Sequence, residues 1–215
     1  MKIHPSIHPS KSNRALTALL LVAGLSFAST SSAGLIAKLN GLVVYDTDRN
    51  ITWLADANLA GTPMTWATAK DWAANLVYVG FDDWRLPTAL NADGSGPCQG
   101  YNCTGSELGH LFYQEIGVTE GNSILNGNAA ELTKFNNIQS YVYWSATGVA
   151  PSPNGAWDFD TDSGSQTYDS KDNGRYGWAV RSGDVSSTSV PEPGIIGLLL
   201  AGGIGWVGTK ARRRG

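Results

Sequence analysis

The chain has 215 residues, and its formal charge of −3 understates how acidic most of it is. Seven of the 15 Lys and Arg lie before residue 34 or after residue 189, so residues 34–189 hold eight cations against 17 Asp and Glu, a net charge of −9. A segment of that charge with no basic stripe repels phosphate backbones, which excludes nucleic acid as a partner, and its length fits one domain.

Residues 1–33 read as a signal peptide. Lys2, Lys11 and Arg14 supply a positive start, Ala15 to Phe27 is mostly apolar with five leucines, and Ser31-Ser32-Ala33 offers the small residues that signal peptidase reads. Cleavage is expected after Ala33, leaving Gly34 as the new N-terminus; the apolar run is short of the about 20 residues a membrane span needs.

The domain is expected over residues 34–185. Gly41 to Asp46 and Ile51 to Leu54 are β-rich runs separated by Asp46-Thr-Asp-Arg-Asn50, which predicts a hairpin. Thr65 is placed to cap a helix whose apolar stripe is Trp66, Ala69, Ala73 and Leu76, with Gly80 past its end. Pro87 keeps Leu86 extended. A polar, Gly-rich stretch follows and carries Cys98 and Cys103, the two cysteines of the chain. In an exported protein such a pair is expected to form a local disulfide; as metal ligands the two thiolates would lack partners. Ser106 caps a second helix with Leu108, Leu111, Phe112 and Ile116 on one face and Gly117 as its stop. His110 falls some 200° around from Leu108 at about 100° per residue and is expected to face solvent. After a loop-rich stretch to Asn137, four short runs (Val142 to Ser145, Ala156 to Asp160, Gln166 to Tyr168 and Tyr176 to Ser182) alternate aromatic or β-branched residues with others and predict a meander. Two early helices and a late meander predict an α+β domain. Residues 186–189 are a Ser/Thr linker.

The last 26 residues begin at Val190-Pro191-Glu192-Pro193, continue through an apolar stretch over 194–208 that includes six glycines, and end in Lys210, Arg212, Arg213 and Arg214. The terminal cations favour the cytoplasmic side, so the preceding chain is expected outside. The order resembles a PEP-CTERM sorting signal, the tail that exosortases process in Gram-negative bacteria making exopolysaccharide. That resemblance implies cleavage at or beside residues 190–193, transient membrane association through 194–208 (a hydrophobic sorting helix), and delivery to the cell envelope, the outer surface or the extracellular matrix.

Four pieces of the domain recur together: Gly41 to Asp46 with Trp53, Trp84-Arg85-Leu86-Pro87-Thr88, Tyr143-Trp144-Ser145, and the block from Ala156-Trp157 to Val180-Arg181. Together they resemble the Lcl C-terminal domain, the domain of unknown function at the end of a bacterial collagen-like adhesin. The resemblance extends to the C-type-lectin-like folds that include formylglycine-generating enzymes, and it implies that architecture. One departure stands out. A Glu-Leu pair ordinarily follows the Pro-Thr closely, whereas here Glu107-Leu108 comes only after the cysteine-bearing insertion, Ala89 to Gly105. The insertion is therefore the expected place for recognition.

Chemistry-bearing residues are sparse. His110 is the one histidine in residues 34–189 and has no obvious nucleophile beside it, so no catalytic residue is assigned and the protein is not expected to be an enzyme. Asp158, Asp160 and Asp162 precede Gly164 with carboxylates at alternate positions, a weak calcium pattern; Asp46 and Asp48 are a weaker one. The competing expectation turns Trp157 and Phe159 inward and the aspartates outward. No other cofactor is expected. Most of the seven tryptophans of residues 34–189 are expected in the core. Arg85 and Arg181 are expected to pair with buried acids or stack on aromatics. Tyr101, in the cysteine loop, is the expected exposed aromatic and a weak ligand contact. The function expected is adhesion or association with exopolysaccharide or other glycans, with a ligand-free structural role in the matrix as the alternative and a secreted enzyme third.

Overall fold

The computed structural model describes Met1 and residues 34–185. Residues 2–33 of the expected signal peptide, the linker, the Val190–Pro193 motif and the apolar stretch 194–208 lie outside the described residues. Among the described residues no helix is long and apolar enough to cross a membrane.

The fold opens with β1 (Leu35–Lys38), β2 (Val43–Asp46) and β3 (Ile51–Leu54), each antiparallel to the next. The expected hairpin is β2–β3. The Asp46 side chain closes its turn, with Oδ1 accepting from Asp48 N at 3.0 Å and Arg49 N at 2.9 Å. A second, three-stranded sheet is β4 (Val142–Gly148), β5 (Gly155–Asp160) and β6 (Ser165–Ser170), with β5 central. The last strand, β7 (Val180–Ser182), leaves this meander and pairs with β3, completing a four-stranded first sheet in the order β1-β2-β3-β7.

This architecture corrects the α+β, C-type-lectin-like expectation. The described chain is mostly β, with seven strands in two antiparallel sheets. Its helices are short connectors: α1 (Trp66–Ala74), α2 (Glu107–His110) and α3 (Ala129–Leu132). Thr65 and Ser106 cap α1 and α2 as their sequence positions suggest, accepting from Thr68 N and Gly109 N. Yet α1 stops at Ala74, where Asn75 Nδ2 donates to Asp71 O and occupies a carbonyl of the last turn. Leu76 thus reaches the core from outside the helix. From Leu111 to Glu115 the second helix widens into a π turn, with Ile116 N donating to Leu111 O. The two sheets supply the layers, and α1 and α2 fill their margins.

Residues 84–89 tie the sheets together. Arg85 exchanges two backbone hydrogen bonds of 2.8 Å with Val180 of β7, while Pro87 O accepts from Ala146 N of β4 at 2.7 Å. Ala89 N donates to Thr147 Oγ1 at 3.0 Å, and β4 shifts register between Trp144 and Gly148, where these contacts draw it aside. The largest fully buried side chains of the core are aromatic: Trp53, Trp144, Trp178, Tyr143, Phe112 and Phe159. Trp178 packs edge-on against Trp53 and Phe135, at 5.3 and 5.2 Å between ring centres, and donates its Nε1–H to Leu54 O at 2.9 Å. Trp144 likewise donates to Met64 O and Trp66 to Ser145 O.

Trp178→Ala removes the ring that joins β3, β4 and the 129–135 segment and leaves Leu54 O without its donor. A loss of about 3–5 kcal/mol in urea unfolding is expected, and a loss near 1 kcal/mol would show that the two sheets pack independently of it.

Candidate functional site

The cysteine-bearing insertion leaves and returns at one place. Glu107 N donates to Thr88 O at 3.2 Å, and Glu107 Oε2 accepts from Thr88 N at 2.7 Å. The same carboxylate takes both Arg85 Nη atoms at 2.7 Å in a two-toothed ion pair. Glu107 therefore lies beside Thr88 despite the residues between them, which form a closed excursion.

Cys98 and Cys103 are joined as a disulfide. The loop they close is pinned to the second sheet. Gly100 exchanges backbone hydrogen bonds with Gln166 of β6, both 2.8 Å, and the buried Gln166 side chain donates to Cys98 O at 2.6 Å and Ala89 O at 3.2 Å. On the other side Gly109 passes so close that a Cβ there would lie 1.9 Å from Cys103 O, a contact only glycine permits. Tyr101 stands out from this rigid loop, 51% exposed. Next to it in the chain, Asn102 lines a cleft of about 450 Å³ with Thr104, Tyr113, Gln114, Thr119 and Glu120. Tyr113 OH is fixed there, donating to Gly164 O at 2.7 Å and accepting from Asn102 N at 3.0 Å. Burial pushes the Tyr113 hydroxyl above its ordinary pKa. A second cleft, about 390 Å³, has Arg49, Arg85 and Glu107 in its wall.

Tyr141 and Tyr168 are as exposed as Tyr101. Tyr168 stacks edge-on to Trp157 at 5.4 Å and lines a shallow cleft with Asn154 and Asp169. The strand alternation that locates Tyr168 could have flagged it, because it lies on β6 at the edge of its sheet.

Asp158, Asp160 and Asp162 do not converge. Asp158 is buried on the central strand and faces Arg175 Nε at 3.7 Å; Asp160 caps its own turn through Asp162 N and Ser163 Oγ; Asp162 accepts from Ser140 Oγ. The outward placement expected for Asp158 fails because β5 is covered on both faces, so Trp157, Asp158 and Phe159 are all buried. Burial, only partly offset by Arg175, raises the Asp158 carboxyl to about 7. Arg181 lies 4.1 Å from the Phe81 ring centre as expected, but the acid it pairs with at 2.7 and 3.0 Å, Asp83, is exposed, so of the two arginines it is Arg85 that finds a buried acid, Glu107.

Asp46, His110 and Glu115 do converge, and they are the group of three metal-capable side chains found among the described residues. His110 Nε2 lies 3.2 Å from Glu115 Oε1 and 3.9 Å from Asp46 Oδ2. His110 is thus turned inward, not to solvent. The π turn is the reason, since in a regular helix residues five apart point about 140° from one another. Burial lowers the His110 pKa and, with Asp46 and Asp48 nearby, raises Glu115 to about 7. Gly34 packs on the same carboxylate, since a Cβ there would lie 3.6 Å from Glu115 Oε2.

The model of the Lcl C-terminal domain family matches residues 42–181. The chain belongs to this family. No curated protein matches the chain. Within this Lcl C-terminal domain, the matched span runs from just before β2 to Arg181 of β7, so it contains the Arg85–Glu107 pair, the whole insertion and all three clustered side chains. Of these, the sequence pattern points to the disulfide and to Tyr101, and it misses the Asp46–His110–Glu115 cluster.

The Asp158 carboxyl predicts a pH dependence. Its folded pKa lies above its unfolded value near 4, so the native state holds the extra proton between about pH 4 and 7, and stability falls as pH rises through that window. Asp158→Asn keeps the shape without the charge, and unfolding free energies measured from pH 4 to 8 should decline less steeply for it; an unchanged slope would count against a buried, proton-holding Asp158.

Proposed function

We propose that this Lcl C-terminal domain is an exported, non-catalytic glycan-binding domain that works at the outer surface or in the exopolysaccharide matrix of a Gram-negative bacterium. Export rests on the signal-peptide pattern of residues 1–33, and delivery on the likeness of residues 190–215 to a PEP-CTERM tail processed by an exosortase. The disulfide fits an oxidising compartment.

The observation that carries the binding reading is the pinned cysteine loop, which presents Tyr101 beside a cleft lined by amide, hydroxyl and carboxylate groups and by the apolar Val118. Sugars are bound by an aromatic face that covers their C–H surface and by polar groups fixed in advance around it. The loop's backbone and side-chain ties to β6 supply the fixing, so little ordering remains to be done on binding. The net charge of −9 over residues 34–189 favours neutral glycans over anionic ones. Both cysteines are spent on the disulfide, which leaves neither as a nucleophile.

A glycan array probed with the purified chain, with and without calcium, tests this reading. Binding to neutral polysaccharides is expected, and Tyr101→Ala should weaken it by about tenfold, the loss of roughly 1–1.5 kcal/mol from one aromatic face. Absence of binding across the array would leave the ligand-free matrix role.

A further inference from the structure

We propose that Asp46, His110 and Glu115 hold a divalent first-row transition-metal ion, of the zinc or manganese class, through Asp46 Oδ2, His110 Nε2 and Glu115 Oε1. The site is separate from the cysteine loop, and the inference stands or falls independently of glycan binding.

The geometry comes from two elements. Asp46 ends β2, and its Oδ1 is fully engaged by Asp48 N and Arg49 N of the hairpin turn. That leaves Oδ2 as the free atom. Asp46 is 0% exposed and its Oδ2 has no hydrogen-bond partner, which is costly for a buried carboxylate oxygen unless a cation meets it. His110 and Glu115 come from the far side, brought into line by the π turn between them. Their side chains are 13% and 7% exposed. The three donor atoms lie within 4.8 Å of one another. A tetrahedral ion with bonds of about 2.1 Å sets its ligands roughly 3.4 Å apart, so small side-chain rotations bring all three into the first coordination sphere.

The chemistry of the donors narrows the ion. Two carboxylates and one imidazole offer a single nitrogen and few oxygens, whereas calcium takes six to eight oxygens. A neutral imidazole with two carboxylates suits zinc or manganese, and their combined charge of −2 cancels that of the ion in a buried place. The turn amides on Asp46 Oδ1 act as outer support, fixing the carboxylate so that its free oxygen points at the site. An ion there ties the β2–β3 hairpin to the second helix, and it leaves at least one position for water.

The test uses the full chain, stripped with EDTA and desalted, then titrated calorimetrically with zinc chloride alone and manganese chloride alone. One equivalent of zinc or manganese per chain is expected, with a rise in Tm, and His110→Gln, Glu115→Gln and Asp46→Asn should each weaken binding at least tenfold. Asp46→Asn keeps an acceptor for the turn amides, so it separates ligand loss from turn loss. No stoichiometric binding, or full binding in His110→Gln, overturns the site. A second readout needs no change within the cluster: in a chain carrying His4→Gln and His8→Gln, His110 is the remaining histidine. Its Nε2 resonance should move on adding zinc, and an unmoved Nε2 overturns the proposal as well.

Discussion

The Glu107 carboxylate is the point from which the rest of this domain is arranged. It is nearly buried and takes three donors at 2.7 Å, two from the Arg85 guanidinium and one from Thr88 N. A buried carboxylate costs little only when its lone pairs are met by strong donors, and here they are. The pair fixes residues 85–88 in an extended course, and that course supplies the hydrogen bonds to Val180 on one sheet and Ala146 on the other. Arg85, Thr88 and Glu107 thus link β7, β4 and the start of α2 through one charged contact.

Around this contact the largest buried side chains are aromatic rings, packed among leucine, valine and isoleucine. Large flat side chains bury much area per residue, which suits a chain with 26 glycines and short elements. Their polar ends are used as well. The N–H groups of Trp66, Trp84, Trp144 and Trp178 each donate to a main-chain carbonyl, and the Tyr143 hydroxyl accepts from Gln139 N. Trp66, at the margin, has the ammonium groups of Lys70 and Lys171 over its ring at 4.3 and 4.4 Å, a use of the ring that the helical stripe alone does not reveal.

What the sequence makes legible is local. The Thr65 and Ser106 caps, the β2–β3 hairpin, the meander of β4 to β6 and the cysteine pairing all follow from residues within a few places of one another. The fold class and topology do not, because helix length is set by packing and strand partners are a long-range choice, such as whether the Tyr176 to Ser182 run stays with the meander or crosses to β3. Alternation says that Val180 belongs to a strand, and nothing in its neighbours says which strand it joins. His110 is misplaced for a related reason. A helical projection at a fixed angle per residue cannot foresee the widened turn at Leu111 to Glu115, so the cluster it forms with Asp46, 64 positions earlier, has no signature in spacing. Asp158 shows the same limit from the packing side, since alternation assigns one wet face to a strand that is covered on both.

The closed base of the insertion has an architectural consequence. Its two ends meet at the Thr88–Glu107 hydrogen bonds, so the framework encounters a short, clasped junction there. Doubling the length of such a loop costs only about 0.6 kcal/mol in closure entropy. Changes of length and composition are therefore absorbed in the exposed turn at residues 92–96, between the clasp and the part of the insertion that Gln166 holds to β6, which makes that turn the grafting point of the scaffold.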